Sequence, residues 1–460
     1  MNDVDIQLTK SQAELHPKMQ SFLNGSDRIF LLTGKPGVGK TFVLQYLLAE
    51  HIEADRNGTA QGFSGMNVAG ITLAHSAKNV LGEFIPNVFT FAKAYGMEEV
   101  INQRTGERSF AYASFNDGPL VGTMSIPVFV FDEVSMFTQE MLEIVVNKAP
   151  IFSKIIFIGD KAQLPPINAG IDVEVDADSP VFSYDIPDHC KHELTERVRQ
   201  VAGNSILELS DIIREQIFGE QNIQVVLDAI RKPNMTDGIG YSFVRYHDVL
   251  KHISEKDIMT TRLIAYRNKT IDKWNPYIRD YLLRNPHHKL VPGDVVIMKD
   301  NFYKMVEDKV EYILFNSELL RIGEVQNFVV RFNQGDISYK IDAYRAHLVG
   351  RPNQYLISTT PEGEMIYQTA LFELSQKAKK AAPSSRRFLW EAFWNLKKTF
   401  CNYSYGYAAS VYKSQGSTYS DVYVDINDIL QTGPLTPKRK LQAIYTAITR
   451  AKYGVHFLKS

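Results

Sequence analysis

The sequence predicts an α/β protein with two parallel-sheet domains. Three short apolar runs, at 28–33, 126–131 and 154–158, alternate with segments of helical composition, and each run ends in glycine or acidic residues. Strands that are apolar throughout are typical of parallel sheets covered by helices on both faces. Such sheets bind ligands at the carboxyl ends of their strands, so the polar residues there are the predicted functional site.

Composition limits the classes of protein. The chain has 460 residues, of which 44% are apolar, which predicts two to four folded domains and argues against a disordered or collagen-like protein. A formal charge of −1 excludes a uniformly basic nucleic-acid binder but allows a local basic groove. Two cysteines rule out a disulfide framework. With no apolar leader or long apolar run, we expect a cytoplasmic protein with no membrane partner.

The first domain is predicted to span residues 1–190. An amphipathic helix at 8–23 precedes the first strand, and a helix over 41–50 follows it. Residues 100–115 read as a hairpin that protrudes from the sheet, within an insertion at about 97–122. The hairpin is either a strand-separating pin or an ordinary surface hairpin.

The second domain is predicted to comprise residues 191–285 and 401–460, with a strand at 262–266 and a helix at 269–283. Between its two parts lies an insertion, residues 286–400. Alternating apolar and turn residues over 290–370 predict a small antiparallel barrel, and residues 372–400 are helical and basic.

The segment from Gly34 to Thr41, GKPGVGKT, fits the P-loop pattern GxxxxGK[ST] between a strand and a helix. Its glycines let backbone N–H groups face phosphate oxygens, Lys40 can reach the β- and γ-phosphates, and the Thr41 hydroxyl can bind Mg²⁺. The predicted ATP-binding residues here are Gly34, Pro36, Gly37, Val38, Gly39, Lys40 and Thr41.

Asp132 and Glu133 follow the second apolar strand. Asp132 can hold Mg²⁺ through water, and Glu133 can orient or deprotonate the attacking water. Together with the P-loop, this pair predicts a nucleoside triphosphatase using ATP and Mg²⁺, and no more.

Further boxes make the sequence resemble the RecD-like branch of the superfamily 1 helicases. The motifs that resemble this branch are Leu8–Gln12, Asp132–Met136, Gly159–Pro166, Leu194–Gln200, Lys413–Thr418 and Tyr445–Ala451. Within the branch the chain resembles the phage Dda-type helicases, also at 265–275 and 393–397. The order of all elements matches, whereas residues 290–390 match mainly by pattern.

The resemblance implies a fold and an ATP site. Both sheet domains would be RecA-like, and the insertion would hold an SH3-like barrel with helices. Gln163 would sense the γ-phosphate. Arg199 and Arg450 would reach across the domain cleft and act in catalysis with Lys40 and Glu133. Gln12 would read adenine, and Gly416 would line the nucleotide site.

The resemblance also implies a DNA track. Its predicted residues are His75, Lys78, Phe89, Thr90, Phe91, Lys93, Asn268, Tyr412, Lys413, Ser414 and Gln415. Single-strand binders combine such cationic donors with aromatic stacking faces.

Two functions remain open on the sequence. The first is an ATP-dependent, 5′–3′ translocating DNA helicase of phage replication or recombination, located in the cytoplasm of a bacterial host. It would act as a monomer on single-stranded DNA and duplex junctions, with phage single-strand-binding or replication proteins as partners. The second is a DNA-stimulated ATPase translocase or remodeller without processive unwinding. A P-loop GTPase would need an Asn-Lys-x-Asp box to recognise the base. Residues 268–272 miss that spacing by one residue, which disfavours this class.

Overall fold

The computed structural model describes residues 8–57, 66–73, 78, 81–102, 108–112, 126–166, 177–197, 204–306 and 309–459. Its strands form two six-stranded sheets, a five-stranded sheet and two separate two-stranded hairpins. The predicted α/β class with two parallel-sheet domains is confirmed. None of the helices in these ranges is long and apolar enough to span a membrane.

The first sheet is parallel throughout and buried on both faces. Its strands, in order across the sheet, are Val88–Thr90, Val68–Thr72, Val128–Phe131, Lys154–Gly159, Ile29–Gly34 and Lys191–Leu194. The α-helices of this domain within the described ranges are Lys10–Asn24, Lys40–Leu47, Ala49–Arg56, Phe91–Ala94 and Gln139–Lys148. Three 3₁₀ turns are Val134–Met136, Pro180–Ser183 and Asp188–Cys190. Leu15, Phe30, Phe129 and Phe157 are among the side chains of its core.

The first domain extends past the predicted boundary at residue 190. Strand Lys191–Leu194 pairs in parallel with Ile29–Gly34, the strand that leads into the P-loop. Backbone pairing therefore assigns these residues to the first sheet, although their mixed composition gave no apolar strand signal.

The hairpin predicted over 100–115 is present as an antiparallel pair, Met97–Ile101 with Arg108–Tyr112, in which Val100 lies opposite Ser109. The connecting residues 103–107 and the rest of the predicted insertion, from 113, lie outside the described residues. Its role as a pin stays a prediction.

The second sheet carries five parallel strands and one antiparallel edge strand. Their order is Ala408–Ser410, Thr261–Ala265, Tyr419–Val424, Ala451–Lys459, Ile239–Arg245 and Asn234–Thr236. The helices of this domain are Ser205–Phe218, Ile223–Ile230, Val249–Ser254, Asn268–Leu282, Val411–Ser414, Ile426–Leu430 and Pro437–Ile448. The predicted strand at 262–266 and helix at 269–283 are both present within one residue.

The insertion contains an antiparallel sheet with the order Arg351–Thr359, Ile337–Leu348, Leu319–Gln334, Val295–Met298 and Tyr403–Tyr405. A separate hairpin pairs Phe302–Val306 with Lys309–Leu314, and two helices span Pro361–Lys380 and Pro383–Thr399. The first helix begins eleven residues before the predicted start at 372, because Thr360 caps it and Pro361 occupies its first turn. The last strand lies beyond the predicted boundary at 400. An SH3-like barrel stays a prediction.

A buried ion pair joins the insertion to the second domain. Asp294 is fully buried, and Arg279 of helix Asn268–Leu282 donates to it from Nε and, at 2.8 Å, from Nη2. The Tyr407 hydroxyl and the Val291 N–H also donate to this carboxylate, at 3.2 and 2.8 Å. Both oxygens of the carboxylate are thus hydrogen-bonded, which is the condition for keeping its charge in a protein interior.

Candidate active site

The P-loop has the backbone that phosphate binding requires. Gly37 and Gly39 adopt left-handed conformations, with φ of 80° and 76°, and helix Lys40–Leu47 begins directly after them. Glycine reaches this region without steric cost. At Gly34, an added Cβ would lie 2.8 Å from the Leu194 carbonyl oxygen, so the neighbouring strand leaves no room for a side chain. The loop thus presents N–H groups at a helix N-terminus, the usual arrangement for binding phosphate.

The Lys40 ammonium lies against its own loop. Its Nζ donates to the carbonyl oxygens of Gly34 at 2.6 Å and Lys35 at 3.2 Å. The side chain is held at the loop rim by neutral acceptors, and an anionic phosphate in the loop would be a stronger partner.

Gln12 is fully buried, and both ends of its amide are engaged. Its Nε2 donates to the Val38 carbonyl at 3.0 Å, and its Oε1 accepts from the Thr9 N–H at 3.1 Å in a capping box. The first helix therefore braces the P-loop through this side chain. The predicted adenine contact stays a prediction, since one N–H and one lone pair of the amide remain.

Asp132 and Glu133 lie where the second strand ends. Burial and the adjacent Glu133 carboxylate raise the pKa of Asp132 to about 7. Glu133 has a left-handed backbone, with φ of 56°, which is uncommon outside glycine and clusters at functional sites. Two adjacent carboxylates, of which Asp132 has a raised pKa, fit a divalent cation that would neutralise their charge. Thr41 and Asp132 are the residues that would hold Mg²⁺, with the carboxylate through water.

Arg450 of the second domain acts on this same site. The positive charges of Lys40 and Arg450 both oppose the increase in the pKa of Asp132, Lys40 more strongly. Arg450 is buried and donates from Nε to the Thr446 carbonyl at 3.2 Å. The structure thus brings cations from both domains to one carboxylate. Arg199, the second predicted catalytic arginine, lies outside the described residues.

Gln163 lies at the domain interface. It is buried, and its Oε1 lacks a hydrogen-bond partner among the described residues. The adjacent Leu164 bonds to the second domain in both directions: its N–H donates to the Thr446 hydroxyl at 3.1 Å, and its carbonyl accepts from Gln415 Nε2 at 3.2 Å. A buried, unpaired amide oxygen beside this contact is available to respond to nucleotide.

Comparisons with known proteins agree with this geometry. Residues 7–224 match the AAA domain family (AAA_30), and residues 405–458 match the UvrD-like helicase C-terminal domain (UvrD_C_2). The ATP-dependent DNA helicase dda of Enterobacteria phage T4 is 25% identical over 445 residues, 93% of each chain. These similarities support a superfamily 1 helicase of the Dda type. The similarity to this helicase indicates a hydrolase, an ATP-dependent DNA helicase that uses ATP with Mg²⁺.

Three further proteins are similar to this helicase over nearly its whole length. The uncharacterized protein R530 of Acanthamoeba polyphaga mimivirus is 22% identical over 527 residues, 98% of this chain and 99% of R530. A Pif1 helicase solved in a study of unwinding at forked double-stranded DNA is 15% identical and covers 98% of this chain and 92% of its own, with a TM-score of 0.49. Pif1 from Candida albicans is 14% identical and covers 99% and 95%, with a TM-score of 0.44.

Most of the residues predicted to bind DNA lie in or next to two similar turns of the helicase. In the first domain, edge strand Val88–Thr90 leads into a four-residue helix, and the Thr90 hydroxyl accepts from the Lys93 N–H at 3.4 Å. In the second, edge strand Ala408–Ser410 does the same, and the Ser410 hydroxyl accepts from the Lys413 N–H at 3.2 Å. Each sheet therefore ends in a capped turn that carries an exposed lysine.

The first turn of the helicase is basic and aromatic. The Lys93 Nζ lies 5.9 Å from the centre of the half-buried Phe89 ring. Burial, and to a smaller extent the charge of Lys93, lower the pKa of Lys78. Phe91, by contrast, is buried and packs on Tyr95 and Phe137 in the core. The predicted DNA contact of Phe91 is wrong for this structure, because its ring faces the sheet.

In the second turn, the structure contradicts the predicted DNA contacts of two side chains, Ser414 and Gln415. Ser414 is fully buried and donates to the Val411 carbonyl at 2.7 Å, and Gln415 is buried against Leu164. Neither side chain lies on a surface that DNA could reach. Both instead tie this turn to its own domain or to the first one.

The other predicted residues in this region vary in exposure. Tyr412 is half-buried, with its ring 5.9 Å from that of Tyr266. Asn268 is exposed at the start of its helix, and Gly416 turns the chain with φ of 71°. His75 lies outside the described residues.

Sequence reasoning missed the charged part of the domain interface. Asp160 of the first domain is buried and accepts from the Tyr445 hydroxyl at 2.7 Å. Arg214 forms an ion pair with Asp160 and another, at 2.9 Å, with Glu193. Its position in an amphipathic helix, far from every recognised box, gave no sequence signal.

Proposed function

We propose that this helicase translocates 5′ to 3′ along single-stranded DNA and separates duplex DNA ahead of it. ATP would bind and be hydrolysed between the two sheet domains. The observation that carries the proposal is the direct contact between the two domains, in which Leu164 of the first bonds to Thr446 and Gln415 of the second. The charges of Lys40 from one domain and Arg450 from the other also act on the same carboxylate, Asp132. A site assembled from two domains couples nucleotide binding to domain closure.

Phosphoryl transfer mainly requires positioning and charge stabilisation. Glu133 would orient the attacking water and accept its proton, while Lys40 would hold the transferred phosphoryl group. Arg450 and Arg199 would stabilise its developing charge from the opposite side. Thr41 and Asp132 would hold Mg²⁺, which would supply further positive charge to neutralise the phosphates.

The two capped turns supply the DNA grips in this proposal. One belongs to the first sheet and carries Lys93, and the other belongs to the second sheet and carries Lys413. Closing the domains on ATP would move one grip relative to the other along the phosphate backbone. Repeated closure and opening would move the protein along one strand, and the hairpin of Met97–Ile101 with Arg108–Tyr112 would split the duplex.

The direction of movement rests on the family resemblance. We extend the proposal to a monomer acting in phage DNA replication or recombination, with single-strand-binding or replication proteins as partners.

Two partial duplexes test the function, one with a 5′ single-stranded tail and one with a 3′ tail. Unwinding and ATP hydrolysis are measured in the same samples, with ATP and Mg²⁺. We expect opening of the 5′-tailed substrate alone. Opening only from a 3′ tail would refute the direction, and DNA-stimulated ATPase without opening of either would favour the translocase or remodeller.

A hairpin variant tests strand separation by itself. Shortening the connection between Ile101 and Arg108 should reduce unwinding while DNA-stimulated ATPase stays at the wild-type rate. Equal loss of both activities would contradict the pin role, because the ATP site is built from other elements.

A further inference from the structure

Helix Ser205–Phe218 of the second domain contacts two parts of the first domain beside the ATP site. Its Asp211 accepts a hydrogen bond from Lys35 of the P-loop at 2.9 Å. One turn further along, Arg214 forms ion pairs with Asp160 and Glu193, at the ends of two first-domain strands. Residues three apart lie on one helix face, so a single face makes all these contacts.

Asp211 is shared by two cations. Besides Lys35 it pairs with Arg197, whose Nη1 lies 2.7 Å from Oδ2 and whose Nη2 lies 2.8 Å from Oδ1. The Arg197 side chain is 7% exposed, against 22% for Lys35 and 34% for Asp211. Arg197 is two residues before the predicted catalytic Arg199. One carboxylate therefore fixes the P-loop and the base of the segment that carries this arginine.

The contact with Lys35 continues to Lys40. The Lys35 carbonyl oxygen is one of the two acceptors that hold the Lys40 ammonium. Because the side chain and carbonyl of Lys35 belong to one residue, the ion pair with Asp211 limits where that carbonyl lies. The second domain thus influences the position of Lys40 without touching it.

We propose that Asp211 is a positioning residue for ATP hydrolysis, which acts through Lys35 on the P-loop and keeps it in register with the second domain. This inference rests on the proposed function, since it assumes that the reaction occurs between the two domains. The Lys35–Asp211 pair favours the arrangement in which the Lys35 carbonyl oxygen holds the Lys40 ammonium at the loop. Weakening the pair lowers the population of that arrangement and so lowers kcat.

The test compares the DNA-stimulated kcat of wild type, Lys35→Met, Asp211→Asn and the double variant. Lys35→Met keeps the apolar stem, removes the charge and leaves the Arg197 pair intact. We expect about a fivefold fall in kcat for Lys35→Met, typical of a half-exposed ion pair, and a larger fall for Asp211→Asn. Adding Lys35→Met to Asp211→Asn should have no further effect, and Asp211→Glu should recover most of the activity.

The matched control is Lys438→Met. Lys438 forms an ion pair of the same length, 2.9 Å, with Asp178 of the first domain, and neither residue contacts the P-loop. We expect wild-type kcat for this variant. Thermal midpoints distinguish positioning from loss of folding, and added salt should narrow the difference between wild type and Lys35→Met.

Three results would overturn the inference. The first is an equal effect of Lys35→Met in both backgrounds, and the second is a fall in kcat for Lys438→Met as large as that for Lys35→Met. Wild-type activity in Lys35→Met and Asp211→Asn would refute the inference and leave the proposed function standing. Absence of DNA-stimulated ATPase in the wild type would refute the proposed function itself.

Discussion

Replacing Asp294 by Asn should weaken the contact between the second domain and the insertion. The Asp294 side chain is fully buried and that of Arg279 is 6% exposed. Water therefore cannot hydrate the Arg279 guanidinium once the Asp294 charge is removed. Removing one partner of a buried ion pair costs about 3–5 kcal/mol, since it leaves an uncompensated charge in the interior. Asn still accepts a hydrogen bond, so we expect a loss of about 3 kcal/mol, the lower end of this range.

Native-state hydrogen exchange measures this loss locally. The opening free energy of amides in strand Val295–Met298 should fall, while amides in the first sheet, such as those of Lys154–Gly159, keep their protection. Glu391→Gln is the control, because it removes an exposed pair with Arg387, whose side chains are 45% and 73% exposed, and should cost less than about 0.5 kcal/mol. A change below about 1 kcal/mol in the Asp294 variant would refute the reasoning.

Three further outcomes follow from the site and the thiols. Lys40→Ala should abolish ATP hydrolysis and leave single-stranded DNA affinity by fluorescence anisotropy within about twofold, because the ammonium lies on the P-loop; residual hydrolysis near the wild-type rate would contradict the assignment. Lys93→Ala and Lys413→Ala should each weaken DNA binding and reduce the slope of log affinity against log salt by about one, and an unchanged slope would exclude a phosphate contact. Burial raises the pKa of Cys190 to about 11 and of Cys401 to about 12, so little reactive thiolate is present at pH 8. A thiol reagent should therefore label neither buried cysteine until guanidinium unfolds the chain.

The sequence predicted those parts of the fold that have a strong local pattern. The P-loop strand, the strand before Asp132 and the one ending at Gly159 are apolar throughout, and each lies within the first sheet. Strand Lys191–Leu194 was missed because it is short and polar, and only its pairing with Ile29–Gly34 makes it a strand. The helix at Pro361 was placed too late because its first turn is acidic and its apolar residues are sparse.

The functional site also has a part that local sequence patterns predict and a part that they do not. Spacing was enough for the P-loop, since the loop and its helix are consecutive in the chain. Spacing could not tell whether Phe89 or Phe91 faces the core, because the chain passes from strand to helix between them. Asp211 and Lys35 are separated by most of the first domain, and no local pattern links a P-loop lysine to a helix of another sheet.

The order of strands in the second sheet also governs how the chain is made. Strands Ile239–Arg245 and Thr261–Ala265 leave the ribosome early, yet they do not pair with each other, because Ala451–Lys459 and Tyr419–Val424 lie between them. Each strand must wait through synthesis of the whole insertion with the edge that faces its missing neighbour unpaired. The first sheet, by contrast, has all its strands by residue 194. A nascent chain therefore has a finished nucleotide-binding loop well before the last strand joins the centre of the second sheet and completes the enzyme.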